Sequence, residues 1–236
     1  MFDSQTTIRD IVADDYRAAA VFQKHGLDFC CGGNRAVADA CREKGIDAAV
    51  VTAELEAALA SADDQPRAAA WDLDVLADHI VASHHGYVRA AIETIGAHTR
   101  KVSEVHGERH PEVVEVALRF AAIAAEMTAH MAKEERVLFP YIKALAAARR
   151  EGGPAPRAPF GSIANPIRMM EAEHQSAGDT MAAIRRLSGG YAPPADACAT
   201  YRVTYKELEA FEADLHRHVH LENNILFPRA LDLERP

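Results

Sequence analysis

His130-Met131-Ala132-Lys133-Glu134, leading to Leu138-Phe139-Pro140, returns later in the chain as His218-Val219-His220-Leu221-Glu222, leading to Leu226-Phe227-Pro228. His, Glu, Leu, Phe and Pro recur at the same offsets, and the two copies are 88 residues apart. A His and a Glu four residues apart project from one face of an α-helix, one turn apart. Ala, Leu, Glu, Arg and Met dominate the segments around both copies while Gly and Pro gather at a few breaks, so the sequence reads as nearly all helix. Breaks at 61–70, 107–111, 150–162 and 189–194 leave four helical segments over roughly 72–104, 112–149, 163–188 and 195–231. Long amphipathic helices with mostly short connections predict an all-α, up-and-down four-helix bundle over residues 71–233, each half built on one plan.

The α-helical period tests which polar residues face the core of such a bundle. In the second helix one stripe reads Val116, Phe120, Ile123, Met127, His130, Glu134, Val137, Tyr141, Leu145. In the fourth it reads Leu208, Phe211, Leu215, His218, Glu222, Ile225. The third gives Ile163, Ile167, Met170, His174, Ala177, Met181, Ile184, and the first gives Val81, His85, Val88, Ile92, Ile95. His84 competes with His85 on the first helix, but its stripe of Ile80, Tyr87 and Ala91 is less apolar. His174 also lies 89 residues past His85, close to the 88-residue repeat.

Each helix therefore aims a histidine inward, and two add a glutamate. A lone inward histidine is usually a hydrogen-bonded core residue, and a single His-x3-Glu is often only a helix-face pair. That reading would have to hold six times here. Burying two carboxylates and four imidazoles uncompensated costs several kcal/mol per ionised group, which a bound cation offsets. His79, His98, His106, His110, His216 and His220 are expected to face solvent.

Four imidazoles and two carboxylates in symmetric halves suit two borderline cations bridged by Glu134 and Glu222. Structural zinc favours sulfur-rich sets of four, and calcium or magnesium favours oxygen, so iron leads and manganese follows. The expectation is two iron ions per chain, bridged by the two glutamates and an oxo or hydroxo group, with positions open for O2 or NO.

Composition bounds the rest. The 236 residues are 49% apolar and 26% charged, as in an ordinary globular protein. A net charge of -9 argues against nucleic acid, whose binding rests on Lys and Arg. No apolar run reaches the roughly 18 residues of a membrane span, and the start of the chain has no basic-then-apolar leader, so a cytoplasmic protein is expected.

Residues 1–62 form a separate small helical domain, with patterns at about 6–24, 34–44 and 47–60. So small a core is expected to pack on the bundle or to self-associate, as in a homodimer through this domain. Between its first two patterns lies Leu27-Asp28-Phe29-Cys30-Cys31-Gly32-Gly33-Asn34, with Asn34 placed to cap the next helix. A cysteine near a helix start tends toward thiolate, which marks Cys30 and Cys31 as reactive, with a structural turn as the plainer alternative. Adjacent cysteines cannot alone complete a metal site. Cys41 and Cys198 read as buried helix residues.

DFCCGG at 28–33, HMAKEERVLFP at 130–140, EAEH at 171–174 and HVHLENNILFPRAL at 218–231 together resemble the repair of iron centres family of di-iron proteins. The resemblance covers nearly the whole chain. It implies a hemerythrin-like bundle behind a small cysteine-bearing domain, with His85, His130, Glu134, His174, His218 and Glu222 as the iron ligands. It also implies repair of iron-sulfur clusters damaged by nitric oxide or oxidants, as a stress response, with damaged iron-sulfur proteins as partners. By the same similarity Glu173 lies behind the ligands or on an iron path, with an exposed helix residue as the plainer alternative; His84, from its place beside His85, is a further candidate for that layer. The alternatives are an O2- or NO-binding sensor or carrier, and a di-iron redox enzyme acting on NO or nitrite. The Pro-rich 150–162 loop looks longer than that family's connection.

Overall fold

The computed structural model describes residues 5–60 and 68–234. Four short helices come first: α1 (Ile8–Asp14), α2 (Ala18–Lys24), α3 (Val37–Lys44) and α4 (Ala48–Leu59). Thr7 and Asp47 cap α1 and α4 by accepting the amides of Asp10 and Ala49. Asn34 caps nothing, because α3 starts only at Val37 behind Ala36. Most of the expected 61–70 linker lies outside the described residues, and Ala68–Ala70 form a short 3-10 turn.

The bundle follows as four rods. The first joins α5 (Leu73–His79) and α6 (Gly86–His106), and the second joins α7 (Glu112–Lys133) and α8 (Phe139–Glu151). The third is α9 (Ala164–Leu187) alone, and the fourth joins α10 (Ala199–His220) and α11 (Phe227–Glu234). Three rods pass through a π-helical turn, at Ile80–His85, Glu134–Leu138 and Leu221–Leu226.

Two of these turns have a visible cause. Pro140 and Pro228 lack an amide hydrogen, and their rings would strike the carbonyls four residues back, on Arg136 and Asn224. The helix widens instead of breaking, and the amides of Phe139 and Phe227 reach back five residues to the carbonyls of Glu134 and Glu222. The widening shifts the inward stripe. Val137, expected inside, is 46% exposed, and Leu138 takes the buried position.

Apolar side chains pack in two layers along the bundle. One layer holds Ile80, Phe139, Ile167 and Phe227, and the other holds Val88, Phe120, Met181 and Phe211. The six inward His and Glu residues fall between these layers on every rod. The second layer is continuous with the core of the first four helices, including Ile8, Phe22, Leu27 and Phe29, so this unit packs on the bundle. The 150–162 loop is tied to the bundle end through Tyr141, whose hydroxyl donates to the Pro156 carbonyl at 3.1 Å. Among the described residues no helix is long and apolar enough to cross a membrane.

Candidate metal centre

The six residues singled out by the repeat meet in one place. His85, Glu134, His218 and Glu222 bring one donor atom each within 4.8 Å of one another, and so do His130, Glu134, His174 and Glu222. Both groups share both carboxylates, and none of the six side-chain residues is more than 1% exposed. His85 Nε2 lies 3.3 Å from Glu134 Oε2 and 3.9 Å from Glu222 Oε1, and His218 Nε2 lies 3.0 Å from Glu222 Oε1. In the other group His130 Nε2 lies 3.3 Å from Glu134 Oε2, and His174 Nε2 lies 3.0 Å from Glu222 Oε2.

The Nε2 atoms also face each other, at 3.2 Å for His85 and His218 and at 3.0 Å for His130 and His174. Two imidazole nitrogens so placed can share one hydrogen or aim two lone pairs at a common point. Neither oxygen of Glu134, nor Oε2 of Glu222, sits in a well-aligned hydrogen bond. Buried carboxylates without aligned donors, beside converging imidazoles, are the donor set a pair of divalent cations fits.

Electrostatics within the cluster follow from that crowding. Burial pushes His85 down, but Glu134 and Glu222 outweigh it and hold the imidazole at about 10. His130 is likewise lowered by burial and raised further by Glu134, reaching about 9. Burial raises Glu222, and His218, His174 and His85 pull it well below the carboxylate range. Burial pushes His218 down, against the pull of Glu222.

Behind the six lies a second layer. His85 Nδ1 meets Glu135 Oε1 at 2.7 Å, and Arg89 also binds that carboxylate. His130 Nδ1 meets Glu173 Oε2 at 2.9 Å, with Lys133 on the other oxygen. His174 Nδ1 meets Asn223 Oδ1 at 2.8 Å, whereas the buried His218 Nδ1 has no partner. His84 is buried too, but it turns away to Asp214, 2.8 Å from Nδ1, and its ring stacks on His218 with centroids 5.6 Å apart. The π turn ending at His85 points both neighbours inward, and only His85 reaches the carboxylates.

The repeat extends into this layer. Glu135 and Asn223 each follow a shared glutamate, 88 residues apart, and each holds the histidine of another rod. Glu173 and His84 each precede an inward histidine and touch the remaining two, one by hydrogen bond and one by stacking. Sequence reading missed Glu135 and Asn223, although their position in the repeat marks them.

The cysteine loop lies against the fourth rod. Asp28 accepts the amides of Cys30, Cys31 and Gly32, each at 3.0 Å, which folds the loop into a tight nest. The hydrogen bond with Cys31, burial and Asp28 push the Cys30 thiol well above its usual range, against the expected thiolate. No helix starts at this loop, so no helix dipole opposes these effects. Asn223 Nδ2 donates to the Cys30 carbonyl at 3.2 Å, and Asn224 Nδ2 donates to the Phe29 carbonyl at 2.9 Å.

Other expectations are corrected. His106 and His220 are buried rather than solvent-facing, and His79, His98, His110 and His216 are partly covered. His220 packs against Tyr16, with ring centroids 5.2 Å apart and Asn224 on its Nδ1, and burial holds it down at about 3. Cys41 is buried, but Cys198 is exposed at the start of α10, 3.2 Å from His106 Nε2.

Comparison with known proteins places both parts. A domain of unknown function (DUF542) matches residues 4–59, and the hemerythrin HHE cation binding domain matches residues 76–230. The iron-sulfur cluster repair protein YtfE of Cronobacter sakazakii is 36% identical over 220 residues, 93% of each chain. The probable iron-sulfur cluster repair protein of Haemophilus influenzae is 32% identical over 97% of this chain and 98% of its own. YtfE of an Escherichia coli O81 strain is 36% identical over 91% of each chain. With both parts matched and relatives aligned almost end to end, the chain belongs to the repair of iron centres family, to which these iron-sulfur cluster repair proteins also belong.

Proposed function

We propose that the chain holds two iron ions, one between His85 and His218 and the other between His130 and His174, with Glu134 and Glu222 bridging them. The observation that supports this most directly is the pair of four-donor groups sharing both carboxylates. Each ion would have two imidazoles and two carboxylates, which leaves positions for a small ligand such as NO or O2.

On this reading the protein restores iron-sulfur clusters damaged by nitrosative or oxidative stress, with iron as its cargo. The relatives named as repair proteins support the role, and the buried centre supplies an iron store shielded from water. Residues 71–233 keep the iron, and residues 1–62 present the half-buried Cys31, with the buried Cys30 behind it, to the damaged partner. The four free thiols among the described residues fit a reducing cytoplasm.

The chain's own residues carry the steps around the metal. Glu135 and Glu173 keep the Nδ1 protons of His85 and His130 in place, so that the proton given up on metal binding is the one on Nε2. The apolar layers on either side exclude water. Bound iron supplies a redox-active ion and an open coordination site.

The test mixes iron-loaded protein with a nitric oxide-damaged cluster enzyme and follows recovered activity against free iron at equal concentration. Recovery should exceed the free-iron control and vanish for Glu134→Ala/Glu222→Ala. Recovery equal to free iron refutes the repair role.

A further inference from the structure

Asn223 is bonded at both ends to groups whose roles are fixed. The Cys30 carbonyl can only accept, so the carboxamide must turn its Nδ2 toward it, at 3.2 Å. That leaves Oδ1 facing His174 Nδ1 at 2.8 Å, and an acceptor there requires Nδ1 to carry the hydrogen. In the neutral ring, Nε2, on the side of Glu222 Oε2 and His130 Nε2, is then the nitrogen with the lone pair. A backbone carbonyl 193 residues away thus selects the tautomer of an inward histidine.

The neighbouring residue shows the contrast. Asn224 also holds the loop, through the Phe29 carbonyl, but its other contact is His220, which is not among the six. His85 and His130 are held by carboxylates with no tie to the loop. A cavity of about 160 Å3, lined by Cys30, Cys31, Glu171, Gln175 and the two asparagines, opens between the loop and α9. A group entering there lies beside Cys30, Cys31 and Asn223 together.

We propose that Asn223 is the positioning residue through which the Cys30–Cys31 loop fixes His174 as a ligand, so that a change at the thiols is felt at the His130–His174 ion and not at its neighbour. This rests on the di-iron reading above. Lifting the loop frees the carboxamide to rotate, His174 loses its acceptor, and the ion it holds is released first.

The test uses the full chain in a Cys198→Ser background, loaded anaerobically with ferrous iron. Iron loss to a chelator and the midpoint potential are followed with and without alkylation of the loop thiols by iodoacetamide. Asn223→Ala should release one of two irons about 10–100-fold more readily, the usual effect of removing a group behind a metal ligand. Asn223→Asp can still accept from His174 but cannot donate to Cys30. It should retain both irons, at a lower potential than Asn223→Ala, and alkylation should no longer speed release as it does with Asn223 present. Unchanged retention in Asn223→Ala, or alkylation acting on Asn223→Asp as strongly as on the parent, overturns the proposal. A parent chain that takes up no iron overturns the di-iron reading and this inference together, whereas two retained irons with an inert Asn223 overturns the inference alone.

Discussion

Loading the metal-stripped protein with iron near neutral pH is expected to expel two protons per chain. His85 is held at about 10 and His130 at about 9, so both imidazoles are protonated at pH 7 and balance the charges of Glu134 and Glu222. An imidazole cannot bind a metal through a protonated Nε2, so each ion must displace one proton. Two linked protons make the combined affinity for two ions rise about 100-fold per pH unit up to about pH 9, then about 10-fold to about pH 10. The stripped fold responds with the opposite sign on the alkaline side. Imidazole pKa values raised above their unfolded level of 6.5 stabilise it fully below that value, and this is lost as pH rises through about 9 and 10. The depressed Glu222 stabilises it above 4.5 and ceases to as pH falls through its lowered value. Iron loading should therefore raise the melting temperature most at alkaline pH. The assay is an anaerobic titration of weakly buffered protein with ferrous iron, read by an indicator dye at pH 7 and 8. Fewer than one proton per chain at both values would mean that the carboxylates do not hold these imidazoles charged, and would refute the reasoning.

Metal analysis should find two irons per chain, falling to one or none in His130→Ala and to none in Glu134→Ala/Glu222→Ala, whereas zinc in place of iron would contradict the donor-set argument. Gly33→Ala should destabilise the first four helices by about 1–3 kcal/mol, because an added Cβ meets the Phe29 carbonyl at 2.7 Å and Arg9 Cβ at 3.2 Å. A lowered denaturation midpoint with retained iron checks it. Phe120→Ala removes a fully buried ring packed against Phe211 and should lower stability by about 3–5 kcal/mol in chemical denaturation, with the iron count unchanged.

The bundle and the meeting of the six residues were legible because both depend on helical periodicity and on a repeat within one chain. The stripes of α7, α9 and α10 place His130, His174 and His218 inside without any knowledge of partners. Where the period itself changes, the reading fails. The 3.6-residue stripe puts Val137 in the core, and the π turn ahead of Pro140 puts Leu138 there instead. The same widening at Ile80–His85 explains why choosing between His84 and His85 by stripe was hard, since both are buried. Contacts between the first unit and the fourth rod leave no periodic trace, so the burial of His220 against Tyr16 and the roles of Asn223 and Asn224 at the cysteine loop could not be read locally. Nor could the protonated Cys30, whose state is set by Asp28, Cys31 and burial rather than by a helix end.

The π turns at Glu134–Leu138 and Leu221–Leu226 also carry a record of the chain's history. A helix gains such a turn when one residue is added to a regular segment, and both additions fall at the same place relative to His130 and His218. That match is what doubling of a single helical hairpin, already carrying the extra residue and its proline, would leave. Such an ancestor would have had one glutamate and two histidines, half of the present set, and two copies side by side would have completed it. The departures between the halves, Asn223 in place of a glutamate and His84 in place of another, are then later changes. Asn223 ties the second half to the cysteine loop, so the two four-donor groups have different surroundings.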